Sequence, residues 1–333
     1  IDTRLRYESV SQDGLNDADA LTLRTRLGYE TRAFNGFTLL AELEGVAQLT
    51  DDFNDTVNGN AAFATVPDPE AFELNRLQVT WAGAQGRRIV AGRQRIILNN
   101  ARFVGNVGFR QNEQTFDSLR LETKALRGAV VNYIYVDQVN RVFGPDAGLP
   151  PETLGSDSHL LNVHLTSLPV GSLTLYGYLL DFANAPQLST DTFGARYDGD
   201  RAIGEKLKFG WAIEYAVQED AGANAAEVDA SYEFIELGLQ APNAAVTAGR
   251  EVLSGETGIF TTTTSPAFQT PLATPHKFQG WADKFVTTPS AGIEDIYVGL
   301  NGKLAGWNGQ LVWHDFSAEA TTQDYGTEWD ISV

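Results

Sequence analysis

The chain has no cysteine among its 333 residues, which excludes disulfides, thiolate metal sites and a cysteine nucleophile. It also lacks any apolar run of about 18 residues, so no transmembrane helix can form. That absence does not exclude a membrane β-barrel, in which only alternate residues face lipid and mean hydropathy stays polar; here it is -0.20. Basic residues are scarce, 24 against 43 acidic ones, giving a net charge of -19. A pI near 4.5 argues against nucleic acid as a partner, because phosphate binding needs a basic surface. No G-x-S-x-G elbow, H-E-x-x-H pair or P-loop occurs. The four histidines offer no metal site: His159 and His164 are five apart on one strand and so face opposite ways. No cofactor is implied. Helical periodicity, linkers and a second domain are likewise absent, and residues 1–333 read as a single domain.

What is present is a period of two. In "EKLKFGWAIEYAVQ", Leu207, Phe209, Trp211, Ile213, Tyr215 and Val217 alternate with Lys206, Lys208, Glu214 and Gln218. The first residues do the same, with Ile1, Thr3, Leu5 and Tyr7 against Asp2, Arg4, Arg6 and Glu8. Such alternation marks strands. About sixteen segments show it, near 1–11, 18–34, 37–50, 71–83, 86–96, 114–126, 128–142, 157–168, 171–183, 190–198, 202–218, 226–240, 243–252, 292–304, 307–317 and 323–333. Their connections are short at one end ("NG", "GAQG", "RG", "PVG", "DGD", "APNA", "AGWNG") and mostly long at the other (51–70, 97–113, 143–156, 253–290). That asymmetry describes an up-and-down meander closing as a barrel.

Sixteen strands enclose a lumen too wide for side chains to fill. An apolar lining would then be wet, so the polar face must line the lumen and the apolar face must meet lipid. The expected fold is all-β, a transmembrane antiparallel up-and-down barrel. Aromatics near strand ends (Tyr29, Phe34, Phe37, Trp81, Trp307, Trp313) suit interfacial girdles. The long loops carry acid: Asp51, Asp52, Asp55, Asp68 and Glu70, then Asp146, Glu152, Glu219 and Asp220. They are expected to be solvated. A weaker reading gives Asp51, Asp52 and Asp55 a Ca²⁺ ion near lipopolysaccharide phosphates, although "DDFND" lacks EF-hand spacing.

Against this acidity stands "GRQRIILNNARFVGNVGFRQNEQTFDSLRLE" at 92–122, rich in arginine. Parity puts Arg24, Arg26, Arg76, Arg93, Arg95, Arg120 and Lys124 on the lumen face of neighbouring strands, with Glu42, Glu44 and Glu122 among them; Arg102 and Arg110 belong to the intervening loop. An arginine-lined pore attracts anions and pairs bidentately with carboxylate or phosphate. The competing expectation is a charge-balanced wall in which every arginine meets an acid. The far wall is assigned Glu227, Asp229 and Glu233. In the longest loop, His276, Lys277, Trp281 and Lys284 lie close together in a segment able to fold into the mouth, with Trp281 as a stacking platform for sugars.

The 92–122 stretch, with "TPLATPHKFQGWADKFVTTPSAGIEDIYVGL" at 270–300 and "WHDFSAEATTQDYGTEWDISV" at 313–333, resembles the alginate-export family of Gram-negative outer-membrane barrels. The resemblance implies an 18-stranded barrel in the outer membrane, lipid and lipopolysaccharide as surroundings, and passage of anionic solutes or acidic oligo- or polysaccharides such as alginate. The ending "DISV" lacks the usual terminal aromatic, and two C-terminal strands are expected beyond it. The opening "IDTRLRYESV" reads as a mature start after signal removal. Two other classes remain open: a structural or adhesion barrel without conductance, and a lipase- or protease-like barrel enzyme. Oligomeric state is left undecided.

Overall fold

The structure, a computed structural model, describes residues 1–146, 150–261, 263–304 and 306–333. Its strands are β1 (Asp2–Val10), β2 (Ala18–Glu30), β3 (Phe37–Gln48), β4 (Ala71–Ala82), β5 (Arg88–Gln94), β6 (Thr115–Thr123), β7 (Ala129–Asn140), β8 (Thr153–Leu165), β9 (Ser172–Leu180), β10 (Thr190–Ile203), β11 (Leu207–Asp220), β12 (Asp229–Ala241), β13 (Ala244–Leu253), β14 (Ile293–Leu304), β15 (Trp307–Ser317) and β16 (Asp324–Ser332). They follow one another in sequence order through a single 16-stranded sheet. The pairings that the structure records between them are antiparallel. Three short 3₁₀ turns, at Ala84–Gly86, Pro186–Leu188 and Pro275–Lys277, interrupt the connections.

Each expected segment became a strand, and the reason is visible locally. At the first tight turn Asn35 has φ 50° and Gly36 φ 84°, the paired positive values of a type I′ hairpin. The hairpin fixes the register Glu30↔Leu40, and from there Leu27↔Leu43 and Arg26↔Glu44 follow. A one-residue slip would exchange the two faces of the sheet.

The faces are inverted relative to a water-soluble protein. Leu5 and Tyr7 on β1 are 64% and 63% exposed, while Arg6 between them is 9% exposed. On β11, Ile213, Tyr215 and Val217 are exposed and Glu214 and Gln218 are buried. β12 and β14 repeat this outward row with Ile235, Leu237, Leu239, Ile296, Val298 and Leu300. Leaving so many large apolar side chains in water would forfeit roughly 1.5–3 kcal/mol each, which is recovered when the face meets hydrocarbon. At the short-turn end Tyr197, Phe209 and Trp211 form an outward aromatic cluster with ring centroids about 6 Å apart, the disposition of an interfacial girdle. Trp313 departs from the expected rim position: it lies within β15, opposite Trp329 in register.

Contacts gather into two compact units. The first comprises Ile1–Glu122, Ile134–Asp157 and Leu272–Thr274; the second comprises Thr123–Tyr133, Ser158–Pro271 and Pro275–Val333.

Candidate functional site: a guanidinium–carboxylate lattice on the inner face

In the first unit the inner face of β1–β6 carries the arginines. Arg4 and Arg24 are register partners, as are Arg26 and Glu44. Most guanidinium groups meet an acid. Arg24 Nη2 donates to Asp2 Oδ1 at 2.5 Å. Arg26 donates to Glu44 and lies 3.5 Å from Glu113 Oε1. Arg76 grips Glu42 bidentately at 2.8 and 2.7 Å, and Arg120 reaches Glu122 at 3.0 Å. Arg6 pairs with Asp68 and with Glu8, and Arg110 donates to the same Glu8 at 3.1 Å. Arg102 is buried in the loop before β6.

A bulge makes the Glu42 site. The β3–β4 register shifts between Glu42 and Leu43. Asn75 and Arg76 therefore both reach Glu42, with Asn75 Nδ2 at 2.9 Å from Oε1. Asn75 Nδ2 also donates to Glu113 Oε1 at 2.8 Å. Glu113 is the hub. Arg95 Nε donates to its Oε2 at 2.6 Å, a second Arg95 nitrogen donates to Oε1, and Asn106 Nδ2 donates to Oε2 at 2.8 Å. Burial by itself would raise this carboxyl, but the Arg95 bonds, the Arg26 and Arg95 charges and the Asn106 bond outweigh it and hold Glu113 below the ordinary range. The same contact raises Arg95, the Glu113 bond outweighing the opposing effect of burial.

The loop joining β5 to β6 lies against this wall. Gln111 Nε2 donates to Thr22 Oγ1 at 2.8 Å, and its amide donates to Asp68 Oδ1 at 2.8 Å. Arg4 donates to the carbonyls of Phe109, Arg110 and Gly108 at 2.8, 3.2 and 3.3 Å. Val104 bridges Leu272, and the Gly105 amide donates to the Leu272 carbonyl at 2.8 Å.

Several expectations need correction. Arg93 does not join the inner row: its register partners are Leu77, which is exposed, and Asp117, to which it is bonded bidentately at 2.7 and 2.9 Å. Alternation runs unbroken through β5: Val90 and Gln94 are buried, and Arg93 shares the opposite face with exposed Ile89 and Ala91. Lys124 stands exposed beyond the end of β6. Glu227, Asp229 and Glu233 are exposed, in the outward row that Ile235 and Leu237 continue, so they line no inner wall. The loop acids are not uniformly solvated either, since Asp68 is 0% exposed and bound to Arg6. Asp55 offers no open carboxylate to calcium. Its Oδ1 accepts the amides of Val57 and Asn58 at 2.7 and 2.6 Å, and its Oδ2 accepts Gln48 Nε2 at 2.7 Å. Among the described residues no group of three or more histidine or acidic side chains can hold a metal ion, Asp51, Asp52 and Asp55 included.

The second unit has a different inner face, built on tyrosine and carboxylate. Tyr176 and Arg196 donate to Glu214 at 2.9 and 2.7 Å, Tyr232 donates to Glu251 at 2.7 Å, and Tyr297 donates to Glu236 at 2.6 Å. His314 sits between Asp295 and Asp330, at 3.0 and 3.4 Å. The longest loop packs here. Gln269 and Gln218 exchange hydrogen bonds at 2.8 and 2.9 Å, and the Ala282 amide donates to Glu328 at 2.8 Å. His276 turns to Asp283 at 2.9 Å within the loop, the Trp281 amide donates to Asp330 Oδ1 at 3.4 Å, and Lys277 and Lys284 remain exposed. His159 and His164 do face opposite ways: the first bonds exposed Tyr133, the second buried Thr174.

No family profile and no curated protein sequence matches the chain. Solved structures do. Acinetobacter baumannii OccAB4 is similar with a TM-score of 0.70 at 12% identity, over 99% of this chain and 85% of that one. The Pseudomonas aeruginosa outer membrane protein OpdK is similar with a TM-score of 0.70 at 15% identity, over the same shares. A second OpdK structure, with vanillate, gives 0.69 at 13% identity, over 94% and 82%. The fold is therefore that of the Occ/Opd barrels, and the outward apolar rows suit a hydrocarbon surrounding. The alginate-export resemblance receives no specific support from these likenesses.

Proposed function

We propose that the protein is a channel, not an enzyme, and that it passes small anionic solutes along the arginine row of the first unit. The observation that carries this reading is the set of donors left over after the ion pairs are made. Arg4 is answered by carbonyl oxygens, not by an acid. Among the described residues, buried Arg24 Nε and Arg26 Nη2 have no hydrogen-bond partner. Arg4, neutralised by no carboxylate, can pair with an oxyanion, and the enclosed Arg24 and Arg26 nitrogens leave the charge there incompletely answered. Vanillate, held by one of the similar structures, is itself a small carboxylate. Small solutes are favoured over polysaccharide because the β5–β6 loop lies bonded against the wall through Gln111 and Arg4.

The ion pairs favour a second reading, a charge-balanced lumen with little selectivity. Liposome swelling separates the two, using solutes of similar size and different charge: gluconate, glucose and glucosammonium. Faster entry of gluconate supports the anion channel, and equal rates support the balanced pore.

A further inference from the structure

His314 on β15 lies buried between two aspartates of the neighbouring strands, themselves buried. Its Nδ1 is 3.0 Å from both carboxylate oxygens of Asp295 on β14, and its Nε2 faces Asp330 Oδ2 on β16 at 3.4 Å. That Asp330 oxygen is enclosed and accepts no hydrogen bond. Only an imidazolium has an N–H for each side; a neutral ring turns a lone pair toward one of them. Other polar groups gather close by. Tyr297 of β14 has its ring 5.6 Å from that of His314 and donates its hydroxyl to Glu236. Glu251 of β13 is the register partner of Asp295, and Glu328 stands two residues from Asp330 on the same side of β16. From the longest loop come His276 and Asp283, bonded to each other at 2.9 Å.

Asp330 and Glu328 also seat a turn of that loop. The Trp281 amide donates to Asp330 Oδ1 at 3.4 Å, and the Ala282 amide donates to Glu328 Oε1 at 2.8 Å. Around these two bonds the turn is strained. Gln279, Gly280 and Asp283 have φ of 57°, 80° and 55°, left-handed values that a residue other than glycine adopts only at a cost. Gln279 is buried with its Nε2 unpartnered. At Gly280 a side chain would strike the Glu328 carboxylate, so only glycine lets the turn come so close. Just past the turn Phe285 packs on Phe316 and Tyr325, with ring centroids 4.9 and 5.6 Å apart. A strained segment of this kind persists only while its surroundings hold it.

We infer that Asp295, His314, Asp330 and Glu328 form a proton-controlled seat for residues 279–283. With both ring nitrogens protonated, His314 ties Asp330 to Asp295 and offsets the repulsion between Asp330 and Glu328, and the turn is seated. Loss of one proton sets a ring lone pair against Asp330 Oδ2 and leaves two carboxylates side by side on one strand. They part, and the turn lifts. The seat therefore holds on the acidic side of the imidazole titration and is released as pH rises through it. Seating itself does not depend on the channel reading. Its consequence for passage does, because a lifted turn uncovers Glu328 and Asp330 on the inner face and lowers anion preference.

The native chain has no cysteine, so nitroxides attached through Lys284→Cys and Thr327→Cys are the only labels. Their separation in proteoliposomes, read by pulsed electron spin resonance, reports the turn against β16. Heat-modifiable migration on gels establishes that each protein is folded. The labelled protein gives a short, narrow distance at mildly acidic pH and loses it for a longer, broad one at alkaline pH. Asp330→Asn keeps an oxygen for the Trp281 amide and has no charge to strand, so the short distance persists throughout. His314→Gln abolishes the step, and His276→Gln leaves it in place. A folded protein whose distance is the same at every pH overturns the seat, as does a step that survives His314→Gln or vanishes with His276→Gln. Reversal potentials over the same range separate this seat from the channel reading. A turn that moves in a protein with no anion preference at any pH leaves the seat standing and overturns the anion channel.

Discussion

Arg4 and Arg24 stand opposite each other in the β1–β2 register, yet only Arg24 has a carboxylate partner, Asp2. Two like charges set side by side on adjacent strands repel. They are held there by carbonyl oxygens on one side and by one acid on the other. Replacing Arg4 with glutamine should therefore relieve repulsion and lower the anion preference of the pore while leaving the barrel folded. Replacing Arg93, whose partner Asp117 lies beside it outside the inner row, should leave ion selectivity almost unchanged. Reversal potentials for the two variants under a salt gradient check this contrast.

Glu113 gathers Arg95, Arg26, Asn75 and Asn106 with its side chain fully buried. Glu113→Gln removes the charge that compensates two guanidinium groups. Breaking one side of a buried pair costs about 3–5 kcal/mol. Urea unfolding in lipid vesicles should show a loss of that order, together with noisier open-channel current as the β5–β6 loop loosens.

The pH dependence of the same contact has a definite sign. Glu113 titrates below its ordinary value of 4.5, so folding favours its ionised form. Its contribution is complete above that value and disappears as pH falls through the lower, folded value. Channel noise should stay flat from neutral pH down to about 5 and rise below the ordinary carboxylate range. Glu113→Gln should be noisy throughout.

The outward row gives a prediction about the membrane itself. Ile213 lies mid-strand, opposite Tyr197 on one side and Ile235 on the other, and is exposed. Arginine at that position should cost about 2–4 kcal/mol near the bilayer midplane. Urea titration of the vesicle-embedded protein measures it. A neutral effect would mean that this face does not meet hydrocarbon.

Strand positions were legible because alternation is a local signal. "EKLKFGWAIEYAVQ" shows both faces of β11 without reference to any other residue, and Asn35–Gly36 shows its turn through backbone preference alone. The inner lattice was legible only in half. Arg24, Arg26, Glu42, Glu44, Arg76 and Arg120 announced themselves by parity. Their partners Asp68 and Glu113 sit in loops, where no period says which way a side chain turns. One break in alternation, the β3–β4 bulge at Glu42, brings Asn75 and Arg76 to the same carboxylate, whereas unbroken alternation from buried Val90 leaves Arg93 outside the row. The tyrosine–carboxylate contacts of Tyr176, Tyr232 and Tyr297 lacked a sequence signal, because each joins residues on different strands.

The most direct test of the channel is the zero-current potential of the purified wild-type protein in a planar bilayer under a potassium chloride gradient. A row with unspent guanidinium donors gives a potential of the sign set by chloride, and gluconate blocks the current more strongly than glucose. A folded, conducting protein whose potential follows potassium would contradict it.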